Sequence, residues 1–258
     1  MFIEERHRKI CEMVQEKGRV EVPELTKIFA VSEDSIRRDL RIMEKQGFLK
    51  RTYGGAIKSD QVGQALLYKD REMLHAKIKK KIAAAAVAAI RDHDTILLDG
   101  STTVATMVSF LNEKIDLTII TNSIIIANQV LSEPSEHQLF MTGGVVDRET
   151  SNITSSSGLQ AIRQITADKV FICPCGISAE WGLSDTSFEE AAIKKAMIEA
   201  GKEVFILADS SKLGQRFLAC VGPLQPEYTI ITDRDFSEEA CRDYDELIRQ
   251  GMNVICVE

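Results

Sequence analysis

The chain has 258 residues, of which 44% are hydrophobic and 28% charged. That length predicts one large or two ordinary domains, since single cores stop growing beyond ~250 residues, and the composition excludes a disordered, collagen-like or disulfide-scaffold chain. The formal net charge of −7, taken whole, argues against a nucleic-acid binder, which ordinarily carries an excess of Lys and Arg.

The opening residues Met1-Phe2-Ile3-Glu4-Glu5-Arg6-His7 are charged from the fourth position and lack the apolar stretch of a secretory signal. The longest run without a polar side chain, at about 82 to 90, is too short for a bilayer, which needs ~20 apolar residues. The six cysteines follow no regular framework, so a reduced cytoplasm without membrane contact is the expected setting. Cys173-Pro174-Cys175 has no second knuckle and no histidine close in sequence. It is read as buried strand residues, with no metal and no cofactor expected.

Charge is not spread evenly. Residues 1–60 carry 13 Lys/Arg and 11 Asp/Glu, a net of +2, whereas 61–258 carry 19 and 28, a net of −9. Within the first segment Ile3, Ile10, Met13 and Val14 recur at helical spacing up to Glu16, with Gly18 as a stop. Arg19 to Val22 suits a short extended piece. Pro23 then opens a second helix whose apolar face is Leu25, Ile28 and Phe29. After a tight turn at Ala30-Val31, Ser32 is a good N-cap for a third helix running to about Gln46, with Glu33 and Asp34 in the first turn.

In that third helix Ile36, Leu40 and Met43 share one face, which turns Ser35, Arg37, Arg38 and Arg41 elsewhere. A short helix, a tight turn and a second helix with basic residues at its start is the pattern of a helix-turn-helix. The stretch Phe48 to Ile57 reads as two short strands whose basic tip, with Lys50, Arg51 and Tyr53, would form a wing. The candidate DNA-binding residues are therefore Ser32, Ser35, Arg37, Arg38, Arg41, Lys50, Arg51 and Tyr53. The alternative is a solvated basic face beside an unrelated hairpin.

The stretches Val31 to Leu40, Gly47 to Arg51 and Gly54-Gly55-Ala56 resemble the signature of the DeoR family of bacterial transcriptional regulators, and the resemblance extends through nearly the whole chain. Ser35 stands where Thr is common in the family, and Tyr53 where the wing often has His. The resemblance implies a winged helix-turn-helix at 1–57 that binds double-stranded operator DNA.

Residues 58–75 are polar and weakly periodic and are read as a linker. A helix is predicted from Ala76 to Arg91, with Lys77, Lys79, Lys80 and Lys81 as a solvated basic turn. Apolar runs then alternate with helical patterns: 95–98, 117–120, 138–141, 170–173, 204–207, 228–231 and 254–257 all read as buried strands. The fold class predicted for 76–258 is α/β with a mostly parallel sheet covered on both faces, and ligands bind such sheets at the carboxyl ends of their strands.

Small polar residues recur at those ends. Asp99, Gly100, Ser101, Thr102 and Thr103 follow the first strand and open a helix predicted over Val104 to Leu111, where backbone N–H groups suit an anion. Thr121-Asn122-Ser123, Thr142-Gly143-Gly144, Gly176-Ile177-Ser178 and Asp209-Ser210-Ser211-Lys212 follow later strands. Any one of them is an ordinary turn, but the repetition points to a phosphorylated small molecule. No mononucleotide or dinucleotide glycine motif is present.

The same segment resembles the DeoR-family sensor domain, which is related to ribose-phosphate isomerases and CoA transferases. That resemblance implies that Asp99 to Thr103 form the phosphate loop. It also implies that Thr121, Asn122, Ser123, Gly143, Gly144, Gly176, Ser178, Asp209, Ser211 and Lys212 line the effector pocket. Where the related isomerases carry aspartates this chain has Cys175 and Ser178. Glu189 or Glu190 with Lys194 or Lys195 are read as the exposed side of a helix, with a place near the pocket as the alternative. The expected function is therefore not catalytic: a regulator, expected to repress, of a carbohydrate operon, acting as a dimer or tetramer. The alternatives are a sugar-phosphate isomerase or transferase with an appended DNA-binding module, and a protein-interaction module.

Overall fold

The structure, a computed structural model, describes residues 3–45, 49–58 and 68–258. The expected helix end at Gln46, the start of the wing at Phe48 and the linker stretch 59–67 lie outside the described residues. The chain divides after Ala76 into two compact units.

The first unit contains α1 (Ile3–Lys17), β1 (Arg19–Glu21), α2 (Val22–Phe29), α3 (Glu33–Lys45), β2 (Leu49–Thr52), β3 (Gly55–Lys58) and α4 (Tyr68–Met73). Ile10 and Val14 of α1, Leu25 and Phe29 of α2, and Ile36, Leu40 and Met43 of α3 meet in one core, as the helical spacing predicts. The turn between α2 and α3 passes through Ala30 at φ 52°. The hairpin β2–β3 gains β1 as a third antiparallel strand, in the order β1-β3-β2. Gly55 is required at that junction, since a β-carbon there would lie 1.9 Å from the Val20 carbonyl oxygen. The Gly54 carbonyl accepts from Val22 N at 2.8 Å, which fixes the wing to the start of α2. The stretch read as a linker departs from expectation. It holds α4, and Met73 and Leu74 pack on the core of this unit.

The second unit begins with α5 (Ala76–Ala88) and runs through β4 (Thr95–Leu98), α6 (Thr102–Ala105), a 3-10 helix (Thr106–Glu113), β5 (Thr118–Thr121), α7 (Ile124–Ser132) and β6 (Gln138–Met141). It continues with α8 (Ser156–Ile162), β7 (Ala167–Ile172), β8 (Gly176–Ser178), β9 (Gly182–Asp185), α9 (Phe188–Ala200) and β10 (Gly201–Leu207). After a short 3-10 turn (Ser210–Lys212) come β11 (Ala219–Gly222), β12 (Thr229–Asp233), α10 (Glu238–Arg249) and β13 (Asn253–Val257). Seven strands form one parallel sheet in the order β13-β12-β10-β7-β4-β5-β6. The molecule is thus mixed α/β, a small winged helix-turn-helix unit followed by a larger parallel-sheet unit.

The strands at 95–98, 170–172 and 204–207 are buried as expected, and Phe171 and Phe205 stack at 4.9 Å on neighbouring strands. The run 138–141 was expected to be buried but forms an edge strand, with Phe140 and Met141 exposed. Of the helix expected over Val104 to Leu111 only Val104 and Ala105 are α-helical, in an element that begins at Thr102, and the rest is 3-10. A second, antiparallel sheet of order β11-β9-β8 has no counterpart in the sequence reading. Gly176-Ile177-Ser178, expected as a loop at a strand end, is itself one of its strands, paired with β9.

Candidate functional sites

The first site is the outer face of α3 with the wing. Because Ile36, Leu40 and Met43 are buried, Arg37, Arg38 and Arg41 are all exposed. Ser32 caps the helix: its Oγ accepts from Ser35 N at 3.3 Å and lies 3.0 Å from Ser35 Oγ. Arg37 pairs with Glu33 at 3.2 Å in solvent, an interaction weak enough to be exchanged for a phosphate. On the wing Lys50 is exposed and Tyr53 projects fully at the tip. Arg51 is partly buried, its N–H donating to Glu44 Oε1 at 2.7 Å.

Asp39, within the same Ile36 to Leu40 stretch, plays a different part. It is buried and accepts from Arg6 Nε at 2.7 Å and pairs with His7 Nε2 at 3.1 Å. A carboxylate on α3 thereby sets that helix against α1 and holds its arginines outward.

The second site lies at the carboxyl ends of the parallel strands. From β4 the chain steps to β5 and β6 on one side, then returns to β7 on the other, so the strand order reverses between β4 and β7. Such a reversal opens a crevice at the strand ends. Asp99 closes β4 there and is fully buried, its Oδ2 accepting from Cys173 N across the reversal at 2.9 Å. Ser101 caps α6 by accepting from Val104 N at 3.3 Å. Thr102 Oγ1 accepts from Lys79 Nζ at 3.0 Å, and Thr103 Oγ1 lies 3.6 Å from the Cys173 thiol that donates to it.

From the neighbouring strand, Thr121 Oγ1 donates to the Leu98 carbonyl at 2.8 Å and accepts from Ser123 N at 3.1 Å, while Asn122 Nδ2 donates to the Ile153 carbonyl at 3.2 Å. On the other side Lys212 Nζ donates to the Pro174 carbonyl at 2.8 Å and to Cys173 Sγ at 3.3 Å. Burial opposes its charge, but the sulfurs of Cys173 and Cys175 and the Asp209 carboxylate outweigh that and raise its pKa. Asp209 caps the short 3-10 turn and accepts from Ser211 N at 3.2 Å.

Two groups expected in solvent are in this crevice. Lys79 is buried, unlike Lys77, Lys80 and Lys81 beside it. Glu190 and Lys194 are buried too, and Lys194 Nζ stands 3.0 Å from Asp185, 3.3 Å from Glu190 and 3.4 Å from Asp99. Burial works against the Lys194 charge, but Asp185, Asp99 and Glu190 together raise its pKa well above the ordinary value. Burial pushes the Asp99 carboxyl up, Lys194 only partly offsetting it. For Asp185 burial also pushes up, but the closer Lys194 prevails and the net shift is downward. Every carboxylate of the group is thus engaged by one ammonium.

Asn152, which sequence reasoning did not single out, joins this group to the loop by donating to Glu190 Oε1 at 3.1 Å and the Gly100 carbonyl at 3.3 Å. Gly100 has to be glycine, because a β-carbon would meet Asn152 Oδ1 at 1.9 Å.

The remaining expected residues are Gly143, Gly144, Gly176 and Ser178. Gly143 and Gly144 are exposed and border Ser155 and Ser157 at the start of α8. Gly176 lies in β8 against the Gln215 carbonyl, and Ser178 Oγ accepts from Trp181 N at 3.2 Å in the β8–β9 turn. Among the described residues no group of His, Cys, Asp and Glu is arranged to hold a metal, and no helix is long and apolar enough to cross a membrane.

Residues 6–62 match the DeoR-like helix-turn-helix domain, and residues 74–234 match the DeoR C-terminal sensor domain. The chain belongs to the DeoR family. The transcriptional regulator YulB of Bacillus subtilis is 34% identical over 233 residues, which cover 90% of this chain and 90% of that protein. The transcriptional repressor GlcR of the same species is 33% identical over 258 residues, covering 100% of this chain and 98% of its own. The regulator IolR, also of B. subtilis, is 29% identical over 91% of this chain and 92% of its own. These relatives are named as transcriptional regulators and match over nine-tenths or more of their length, and this DeoR-family chain is a regulator rather than an enzyme. Its helix-turn-helix is the part that binds DNA.

Proposed function

We propose that the chain represses a carbohydrate operon. Residues 1–57 read repeated operator half-sites through α3 and the wing. Residues 76–258 bind a phosphorylated sugar or related metabolite and hold the chain as a dimer or tetramer. One helix-turn-helix contacts a single half-site, so pairing of copies gives the needed affinity. The name of GlcR as a repressor supports the sign of regulation.

The observation that carries the effector reading is the convergence of Lys79 on Thr102, in the loop that Asp99 opens, at the strand-order reversal where α/β sheets take ligands. Lys79, Thr102, Thr103 and Lys212 would engage the phosphate. The acids Asp99, Asp185 and Glu190 are tied to Lys194. Effector and operator then favour different states of the protein, and the effector shifts operator affinity only by its differential affinity for those states.

The test is operator binding by the purified full-length chain, followed by fluorescence anisotropy, with and without a panel of pentose and hexose phosphates. A change of at least fivefold in operator affinity with one ester supports the reading. Turnover of any ester at the crevice overturns it.

A further inference from the structure

The segment after β6 returns across the ends of β4 and β5. Ile153 N donates to the Asn122 carbonyl at 2.8 Å, and Ile124 N donates to the Ser151 carbonyl at 3.0 Å. This places Asn152, nearly fully buried, over the loop that begins at Asp99.

The orientation of the Asn152 amide is dictated by its neighbours. Glu190 Oε1 and the Gly100 carbonyl are both acceptors, and Asn152 Nδ2 donates to each. That uses both N–H bonds of the amide. Turning the amide over would set its oxygen against the Glu190 carboxylate. Oδ1 therefore points away from Glu190 and packs beside the Gly100 Cα, where it is buried with no hydrogen-bond partner among the described residues. The same holds for Asn122 Oδ1 and the Ser123 hydroxyl, on the strand end to which this segment is bonded. Buried polar atoms are ordinarily satisfied, and an amide oxygen is satisfied only by a donor.

We propose that Asn152 is a specificity-determining residue of the effector site. Its Oδ1 accepts a hydrogen bond from a hydroxyl on the effector's carbon skeleton, and Glu190 is the positioning residue that fixes the amide in that sense. The inference rests on the effector reading above and narrows it. A second phosphate or a carboxylate would repel this oxygen, so the ligand is a phosphate monoester whose body carries hydroxyl donors.

The experiment is calorimetry on the full-length chain with inorganic phosphate, n-propyl phosphate, glycerol 3-phosphate, ribose 5-phosphate and glucose 6-phosphate. In the parent protein at least one hydroxylated ester should bind roughly tenfold more tightly than propyl phosphate, the scale of one well-made buried hydrogen bond. Asn152→Leu should abolish that margin. Asn152→Ser, which fills less space over Gly100, gives the same reading if the leucine variant does not fold. Glu190→Gln should narrow the margin, because an amide at 190 pairs with Asn152 in either sense. A margin that persists in the Asn152 variants, or its absence from a parent protein that binds phosphate, overturns the inference and leaves the effector reading standing. Failure of the parent to bind any of the five probes overturns the effector reading itself.

Discussion

Asp39 accepts a hydrogen bond from Arg6 at 2.7 Å and so ties the recognition helix to the first helix of the chain. Both side chains are buried. Removing one partner of a buried pair costs more than the pair contributes, since the other charge is left without compensation. Asp39→Ala is expected to destabilise the N-terminal unit by about 3 kcal/mol and to weaken operator binding. Urea denaturation of parent and variant, read by circular dichroism, measures the loss. An unchanged midpoint would show that the pair does not hold α3.

Arg38 is exposed beside that anchor, on the face opposite Ile36 and Leu40. If it contacts a base edge, Arg38→Ala should cost ~1–3 kcal/mol on the operator and relax preference at one position. If it contacts phosphate alone, the loss should be equal across sequences. Anisotropy with single-position operator variants separates the two, and equal affinity of mutant and parent would remove Arg38 from the interface.

Lys79 and Thr102 meet across α5 and the loop after β4, Nζ to Oγ1, at 3.0 Å. Lys79→Met and Thr102→Val should each weaken a phosphorylated effector, the lysine change by about tenfold or more because it removes a charge-assisted contact. Effector-free operator affinity should be retained. Titration calorimetry showing parent-like effector binding in both variants would exclude this loop as the phosphate site.

Lys194 is buried among three carboxylates and its pKa is raised. A raised lysine pKa contributes stability that is fully present below the ordinary 10.5 and is lost as pH climbs through the higher folded value. The lowered pKa of Asp185 contributes stability present above 3.8 and lost as pH falls through its folded value. Lys194→Met leaves Asp99 and Asp185 without their counter-charge, which raises their folded pKa values. The variant should be less stable by about 3–5 kcal/mol near neutral pH, with the deficit shrinking as the pH is lowered and the carboxyls protonate. Thermal melts at pH 5 and pH 8 check this; an equal deficit at both would contradict the assigned network.

Much of this was legible in the sequence because the signals were periodic. The spacing of Ile36, Leu40 and Met43 assigned the inner and outer faces of α3, and the apolar runs at 95–98 and 204–207 marked strands covered on both sides. Gln138–Met141 looked the same but lies at an edge, which local composition does not encode. The small sheet of β8, β9 and β11 is short and glycine-rich and carried no alternation.

The misplaced site residues had a readable signal. Lys79 shares a helical face with Ile82, Ala83 and Ala86, and Glu190 and Lys194 with Ile193 and Met197, all of them buried. Spacing at i, i+3, i+4 and i+7 would have turned these charges inward. Asn152 and Asp185 had none, since only the tertiary fold brings them to Asp99 and Gly100. The net charge of −7 misled when taken whole, because the acidity belongs to the larger unit and the exposed arginines gather on α3.

Control of operator binding by a phosphorylated metabolite in the crevice of the second unit can be measured directly. The direct measurement uses a duplex selected from a random-sequence library by the full-length protein. Its affinity is determined with and without each sugar phosphate, for the parent and for Thr102→Val. One ester is expected to shift parent affinity by about 5-fold or more, within the ~5–150-fold span of ordinary allosteric coupling, and Thr102→Val is expected to suppress the shift. Operator affinity indifferent to every ester, or a shift of equal size and at equal ester concentration in Thr102→Val, would contradict it.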